Sequence, residues 1–149
     1  MSDGYESLPL MVVGDGKSDV AMELTYVMEL IRNAHITPLP CVPDYYEGLC
    51  SWKGRIIPVV SLQRAGELPE TEKTRNGVVI ITRVNELECG FLIGNEPRIT
   101  NVNPRERMEG EIPERLGNVL KIKEAYTDGG QVLPLIDLPE TLKNLVVYE

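Results

Sequence analysis

An all-β fold built from two related units is predicted by three features of this sequence. The segment Gly54-Arg55-Ile56-Ile57-Pro58-Val59-Val60-Ser61-Leu62 returns 76 positions later as Gly130-Gln131-Val132-Leu133-Pro134-Leu135-Ile136-Asp137-Leu138. Short runs of β-branched and other aliphatic residues recur between Gly, Pro and Asn turns. Sustained helical periodicity is almost absent, so strands must bury the core, and two small barrels are the expected arrangement.

Both copies read Gly, any residue, two aliphatics, Pro, two aliphatics, a small polar residue, Leu. That is a strand entered from a tight turn, with the Pro marking an edge position or a bulge. A second correspondence lays Asp19-Val20-Ala21-Met22-Glu23-Leu24 on Glu88-Cys89-Gly90-Phe91-Leu92-Ile93 at an offset of 69, with Gly48 falling on Gly117. The jump from 69 to 76 places extra residues near 124–130, ahead of the second copy. Two copies read as a duplication, because open repeat arrays need three or more units to bury a core.

In chain order, residues 8–13 form a strand, Gly14-Asp15-Gly16-Lys17-Ser18-Asp19 a turn, and 20–24 the partner strand. Val27, Leu30 and Ile31 stand at i, i+3 and i+4, which predicts a short helix from about Thr25. Pro38, Pro40 and Pro43 impose an extended stretch up to Asp44. Residues 45–50 then enter a strand, and Ser51-Trp52-Lys53-Gly54 makes the hairpin turn into the first repeated strand. The polar, turn-rich stretch 66–77 is the natural linker between halves. Residues 78–84 and 88–93 form a second hairpin around Asn85-Glu86. The charged stretch 97–113 reads as an irregular connection with a helical turn over 104–108. Strands follow at 118–125 and 132–138, with a helix at 140–145.

The chain of 149 residues carries a net charge of −8 and a pI near 4.8, with 42% hydrophobic and 26% charged residues. Such a chain buries roughly two thirds of its unfolded surface. The acidic balance and the lack of a Lys/Arg cluster argue against nucleic acid, whose phosphates need a basic footprint. Cys41, Cys50 and Cys89 form no C-x-x-C pair and read as reduced thiols of an intracellular protein. Residues 1–7 carry no basic and apolar leader pattern, and no apolar run approaches the ~20 residues of a membrane helix. A soluble cytoplasmic protein without membrane insertion is expected.

Residues suited to catalysis are few. The single His35 has no second imidazole for a metal and no nucleophile motif beside it, so it reads as a loop residue. Gly14-Asp15-Gly16-Lys17-Ser18 ends like a phosphate loop but has Met11 where that pattern needs Gly. The carboxylates between Glu106 and Glu114 are interleaved with Arg105, Arg107 and Arg115, the pattern of a solvated face. No metal or cofactor is expected. Trp52, an indole in a polar hairpin beside Lys53 and Arg55, is either a lid on its own barrel or an interaction anchor.

Ile36-Thr37-Pro38-Leu39-Pro40, Pro43, Gly48-Leu49, Lys53-Gly54 and Ile56-Ile57-Pro58-Val59-Val60-Ser61-Leu62 together resemble the central block of the CheW-like family. Tyr26-Val27-Met28-Glu29-Leu30-Ile31 is similar to that family's Val-x-Glu-Ile segment. Val78-Val79-Ile80-Ile81, Cys89-Gly90-Phe91-Leu92-Ile93 and Leu133-Pro134-Leu135-Ile136-Asp137-Leu138 match its later hairpin and closing strand. The resemblance implies two intertwined five-stranded SH3-like β-barrels with a few short helices. It implies a single domain over 8–149, with the first barrel near 8–66, the second near 77–149 and 67–76 between them.

It also implies a non-catalytic adaptor, associated with chemoreceptor arrays, that couples the cytoplasmic domains of methyl-accepting chemoreceptors to the regulatory domain of a CheA-type histidine kinase. Ser51, Trp52, Lys53, Gly54 and Arg55 would face the kinase. Val27, Glu29, Gly48, Val79 and Gly90 would line a receptor groove. An amphipathic helix seated in such a groove needs apolar anchors above all.

The sequence departs from the family pattern in places. Lys53 stands for an Arg, Ser51-Trp52 for Asn-Leu, and Ser61 for an Asp that Asp137 retains in the second copy. Gly94-Asn95-Glu96-Pro97 replaces Asp-Gly-Val, setting a charge at an expected apolar position. Three changes fall on the first barrel's kinase-facing turn and strand, so a weakened kinase contact is the expectation, and Trp52→Ala is expected to weaken a partner contact while sparing the fold. A reading of another class remains open: a small β-barrel enzyme or ligand-binding domain using the inter-barrel cleft and the carboxylates of 106–114.

Overall fold

A computed structural model describes residues 7–68 and 77–146. β1 (Leu8–Val13), β2 (Val20–Glu23), β3 (Val27–Arg32), β4 (Tyr46–Trp52) and β5 (Arg55–Ser61) precede the 67–76 segment. β6 (Val78–Val84), β7 (Leu87–Ile93), β8 (Arg98–Val102), β9 (Arg115–Leu116), β10 (Leu120–Asp128) and β11 (Gln131–Ile136) follow it. Helices α1 (Leu62–Ala65) and α2 (Leu138–Val146) come after β5 and β11. One sheet has six strands, ordered β8-β1-β2-β11-β10-β9, and the other five, ordered β3-β6-β7-β5-β4, so the barrels intertwine as expected but each draws strands from either side of 67–76, and neither is confined to 8–66 or to 77–149. Residues 69–76 of the expected linker lie outside the described residues.

Each sheet curls shut through a short extension of its edge strand. Beyond β3, Thr37 exchanges two 2.8 Å backbone hydrogen bonds with Leu49 of β4. Beyond β8, the Met108 N–H donates to the Ala125 carbonyl of β10 at 2.7 Å. Closure satisfies backbone groups that an open edge would leave to water or to another chain.

The duplication reappears as strand register. β5 runs parallel to β7 with Val59 opposite Gly90, and β11 runs parallel to β2 with Leu135 opposite Ala21. Val59 and Leu135 are 76 apart and Ala21 and Gly90 are 69 apart, so the two offsets are the two arms of one pseudo-twofold. The barrel interiors correspond residue by residue: Leu10, Val12 and Ala21 in one occupy the places of Val79, Ile81 and Gly90 in the other. Tyr126, Leu133 and Leu135 likewise match Cys50, Ile57 and Val59. Tyr126, buried where its twin is a small thiol, donates its hydroxyl hydrogen bond to Glu124.

A third core lies between the barrels, with Met11, Val60, Ile80, Phe91, Ile136 and Leu142 among its members. β6 shows why its sequence is an unbroken aliphatic run: Val79 and Ile81 face their own barrel while Val78 and Ile80 face the inter-barrel core. A strand buried on both faces has no polar side to alternate with.

Four expectations are corrected. The short helix from Thr25 is a three-residue 3-10 turn, Leu24–Tyr26, followed by β3. A bulge between Val27 and Glu29 inserts one residue, so Val27 and Leu30 share the inter-barrel face while Ile31 points into the barrel. A bulged strand thereby imitates i, i+3, i+4 spacing. The stretch 97–113 contains β8, which pairs with β1 but is mostly exposed and so lacks an apolar signature. β9 and α1, two and four residues long, are too short to show a period. Finally, Tyr46/Gly48 on β4 and Ile122/Glu124 on β10 flank equivalent bulges, so Gly48 matches Glu124 rather than Gly117. The extra residues therefore lie in the β8–β10 connection and not at 124–130.

Candidate partner-binding surfaces

The β4–β5 hairpin turns on Lys53 at φ 51° and Gly54 at φ 77°. Two successive left-handed residues make the tight turn whose twist suits a β-hairpin, and Gly129 and Gly130 repeat it between β10 and β11 at φ 61° and 84°. Ser51, Lys53, Gly54 and Arg55 are exposed on this hairpin, whereas Trp52 is 8% exposed and packs with Cys50, Ile57, Val79 and Ile81. Its indole Nε1 donates to Glu29 Oε1 at 2.6 Å. The Lys53 ammonium and Arg55 guanidinium lie 5.1 and 5.0 Å from the ring centroid, within cation–π range. Trp52 is therefore a lid on its own barrel.

Arg55 also grips Glu88 with two hydrogen bonds of 2.8 and 2.6 Å, which hold the Glu88 carboxyl below the usual carboxylate range and raise the guanidinium further. The opposite barrel uses different chemistry at the equivalent place. Arg98 and Asp128 occupy the positions of Glu29 and Trp52 and pair at 2.6 Å, with Asp19 3.7 Å from the same guanidinium. Both barrels thus tie their outer strands together at the mouth, one through an ion pair and the other through an indole.

The five residues assigned by resemblance to a receptor groove are not equally accessible. Glu29 is exposed, Val27 half-buried, and Gly48, Val79 and Gly90 buried. A Cβ on Gly90 would stand 2.8 Å from Val79 Cγ1, so this glycine admits its neighbour's side chain into the barrel. Gly48 has φ 143°, and a Cβ there would lie 2.1 Å from the Thr37 carbonyl oxygen. Gly48, Val79 and Gly90 shape the barrel that carries the surface, while Glu29, beside the 43% exposed Met28, reaches solvent.

Sequence reading missed a matched pair of outward apolar residues. Ile56 is 67% and Val132 53% exposed, and they are twins on β5 and β11. Their signal was available: both directly follow the residue after the turn glycine of the repeat. Beside Ile56 a cavity of about 460 Å³ is lined by Ile31, Ala34, Leu49 and Cys50, among others. Its counterpart of about 340 Å³ is lined by Asn101, Asn103, Glu106 and Asp128, among others. The two ends of the molecule match in backbone and differ in chemistry.

Other residues singled out by sequence have structural roles. Ser61 is fully buried and caps α1, its Oγ accepting from the Arg64 N–H at 3.2 Å. Asp137 caps α2 in the same way, accepting from the Glu140 N–H at 3.1 Å. Glu96 is paired with Arg32 at 2.7 and 3.0 Å, and Asn95 Nδ2 donates to the Gly14 carbonyl at 3.0 Å. Glu106, Glu109, Glu111 and Glu114 are all exposed along the β8–β10 connection, as is His35 beyond β3. Cys50 and Cys89 are buried, which pushes both thiols up and away from reactivity, and Cys41 is exposed. Among the described residues no group of three or more His, Cys, Asp or Glu could hold a metal, and no helix is long and apolar enough to cross a membrane.

Comparison with known proteins agrees with this architecture. The crystal structure of the scaffolding protein TtCheW from Thermoanaerobacter tengcongensis superposes with a TM-score of 0.75 at 15% identity, covering 87% of this chain and 88% of that one. The chemotaxis protein CheW of Thermotoga maritima is 21% identical over 149 residues, all of this chain and 97% of the relative. The CheW of Bacillus subtilis is 23% identical over 134 residues, 90% of this chain and 84% of that protein. The model of the CheW-like domain matches residues 9–146. The chain therefore belongs to the CheW-like domain family.

Proposed function

We propose that this protein couples the cytoplasmic tips of chemoreceptors to the regulatory domain of a CheA-type histidine kinase within a chemosensory array. The observation that carries the reading is the family match over residues 9–146 on a closed double barrel. The exposed hairpin residues Ser51, Lys53, Gly54 and Arg55 form the kinase-facing surface, with Ile56 as its apolar element. Glu29 and Met28 are the solvent-facing part of the receptor surface, supported from within by Val27, Gly48, Val79 and Gly90.

Support for a weakened kinase contact is narrower than the sequence implied. Ser61 caps a helix and Trp52 fills a barrel, so the remaining changes at that surface are Ser51 and Lys53. Lys53 keeps the charge of the family's Arg but loses its planar fork, a difference that lowers affinity rather than abolishing it.

Co-purification with a receptor cytoplasmic fragment and, separately, with a kinase regulatory domain tests the proposal. Capture of both, with Lys53→Arg tightening the kinase complex, is the expected result. Capture of neither sinks the coupling function, and a kinase affinity unmoved by Lys53→Arg removes the weakening from it.

A further inference from the structure

Gln63 is 6% exposed, and its side-chain oxygen has no hydrogen-bond partner among the described residues. Buried acceptors of this kind are rare because desolvation without a replacement bond is costly, and each one calls for a donor. Gln63 lies on α1 and lines a cavity of about 10 Å³ together with Gly14, Asp15 and Ser18, walled by Val13, Leu62 and Leu68. Room for one water-sized sphere, with several polar groups around it, is the setting in which a structural water is retained, and it is too small for an organic ligand.

We propose that this cavity is a binding site for a single ordered water that donates to Gln63 Oε1 and joins α1 to the β1–β2 turn. The turn is already rigid: Asp15 Oδ1 accepts from the Lys17 and Ser18 N–H groups at 2.8 and 2.9 Å, and Asp19 Oδ1 accepts from the Gly16 N–H at 2.8 Å. Its Gly14 carbonyl takes the Asn95 side-chain bond from the β7–β8 turn. The water completes a polar joint of three segments at the margin of the inter-barrel core, to which Val13 and Leu62 belong. In this arrangement the second group it engages is the hydroxyl of Ser18, a lining residue of the cavity, while the lining Asp15 is exposed.

Gln63→Met tests the site by the sign of its effect, since it keeps the length of the side chain and removes the amide. With the water in place the variant loses two bridged hydrogen bonds, and Tm falls by about 2–4 °C. Ser18→Ala gives a similar loss, and the double variant loses no more than the larger single, because both act through one water. A rise in Tm for Gln63→Met overturns the proposal, since it means that an unpaired oxygen was removed. Should either variant fail to fold, a high-resolution crystal structure of the unaltered protein decides: solvent density within hydrogen-bond reach of both Gln63 and Ser18 supports the site. A direct donor from residues 69–76 overturns it, as does a Tm that depends on which monovalent cation is present.

Discussion

The Trp52 indole donates to the Glu29 carboxylate across 2.6 Å, at the place where the twin barrel sets the Arg98–Asp128 ion pair. An indole so placed closes its barrel and cannot be removed without opening a cavity. Trp52→Ala is predicted to cost about 3–5 kcal/mol, in contrast to the fold-sparing effect that sequence alone implied. Trp52→Phe, which keeps most of the ring and loses the donor, costs about 1–2 kcal/mol. Urea unfolding followed by circular dichroism measures both, and a near-neutral Trp52→Ala would return the indole to the partner surface.

Gly48 is fixed by two independent demands, a φ of 143° and a carbonyl oxygen 2.1 Å from any Cβ. That oxygen belongs to Thr37, whose bridge to Leu49 closes the barrel. Gly48→Ala is expected to destabilise by about 2–4 kcal/mol through strain and loss of closure. Hydrogen exchange at the Leu49 and Thr37 amides should accelerate more than at β6, and uniform acceleration would mean that the clash is relieved elsewhere.

Ser61→Ala removes a helix cap from inside the protein. The expected loss is about 1 kcal/mol in stability, with kinase affinity unchanged once the folded fraction is matched. A drop in kinase affinity at unchanged stability would show instead that Ser61 does act on the partner surface.

Acid sensitivity should trace partly to the Arg55–Glu88 pair. The Glu88 carboxyl is held below its ordinary value of 4.5 in the folded protein, chiefly by its hydrogen bonds to Arg55. A depressed folded pKa adds stability that is complete above the unfolded value and disappears as pH falls through the folded one. The urea midpoint of the native protein should therefore decline below about pH 4.5 more steeply than that of Glu88→Gln, with a constant difference between them near neutrality. Parallel acid limbs would show that the pair is too solvated to matter. The more exposed Arg32–Glu96 pair is expected to contribute little and to weaken with salt.

Much of the fold was legible because its signals are local. Turn glycines, prolines and short aliphatic runs mark β1, β2 and β4 to β7 within a few residues, and the repeat marks β5 and β11. β3 was misread because a bulge breaks its period of two, and β8 was missed because most of its side chains face solvent. The candidate site was legible only as a stretch of chain. Ser51, Lys53, Gly54 and Arg55 are exposed as a surface hairpin should be, but the same stretch contained Trp52, whose environment is supplied by Glu29 and Val79 from distant strands.

By itself the sequence determined that this is a duplicated, strand-built protein of the CheW-like kind, since register, turn type and family pattern are written in neighbouring residues. Tertiary structure decided which of those residues are available to a partner. Val59 meets Gly90 and Leu135 meets Ala21 only because β5 and β11 each lie parallel to a strand from the other half of the chain. Burial depends on what packs against a side chain, and here those neighbours lie tens of residues away.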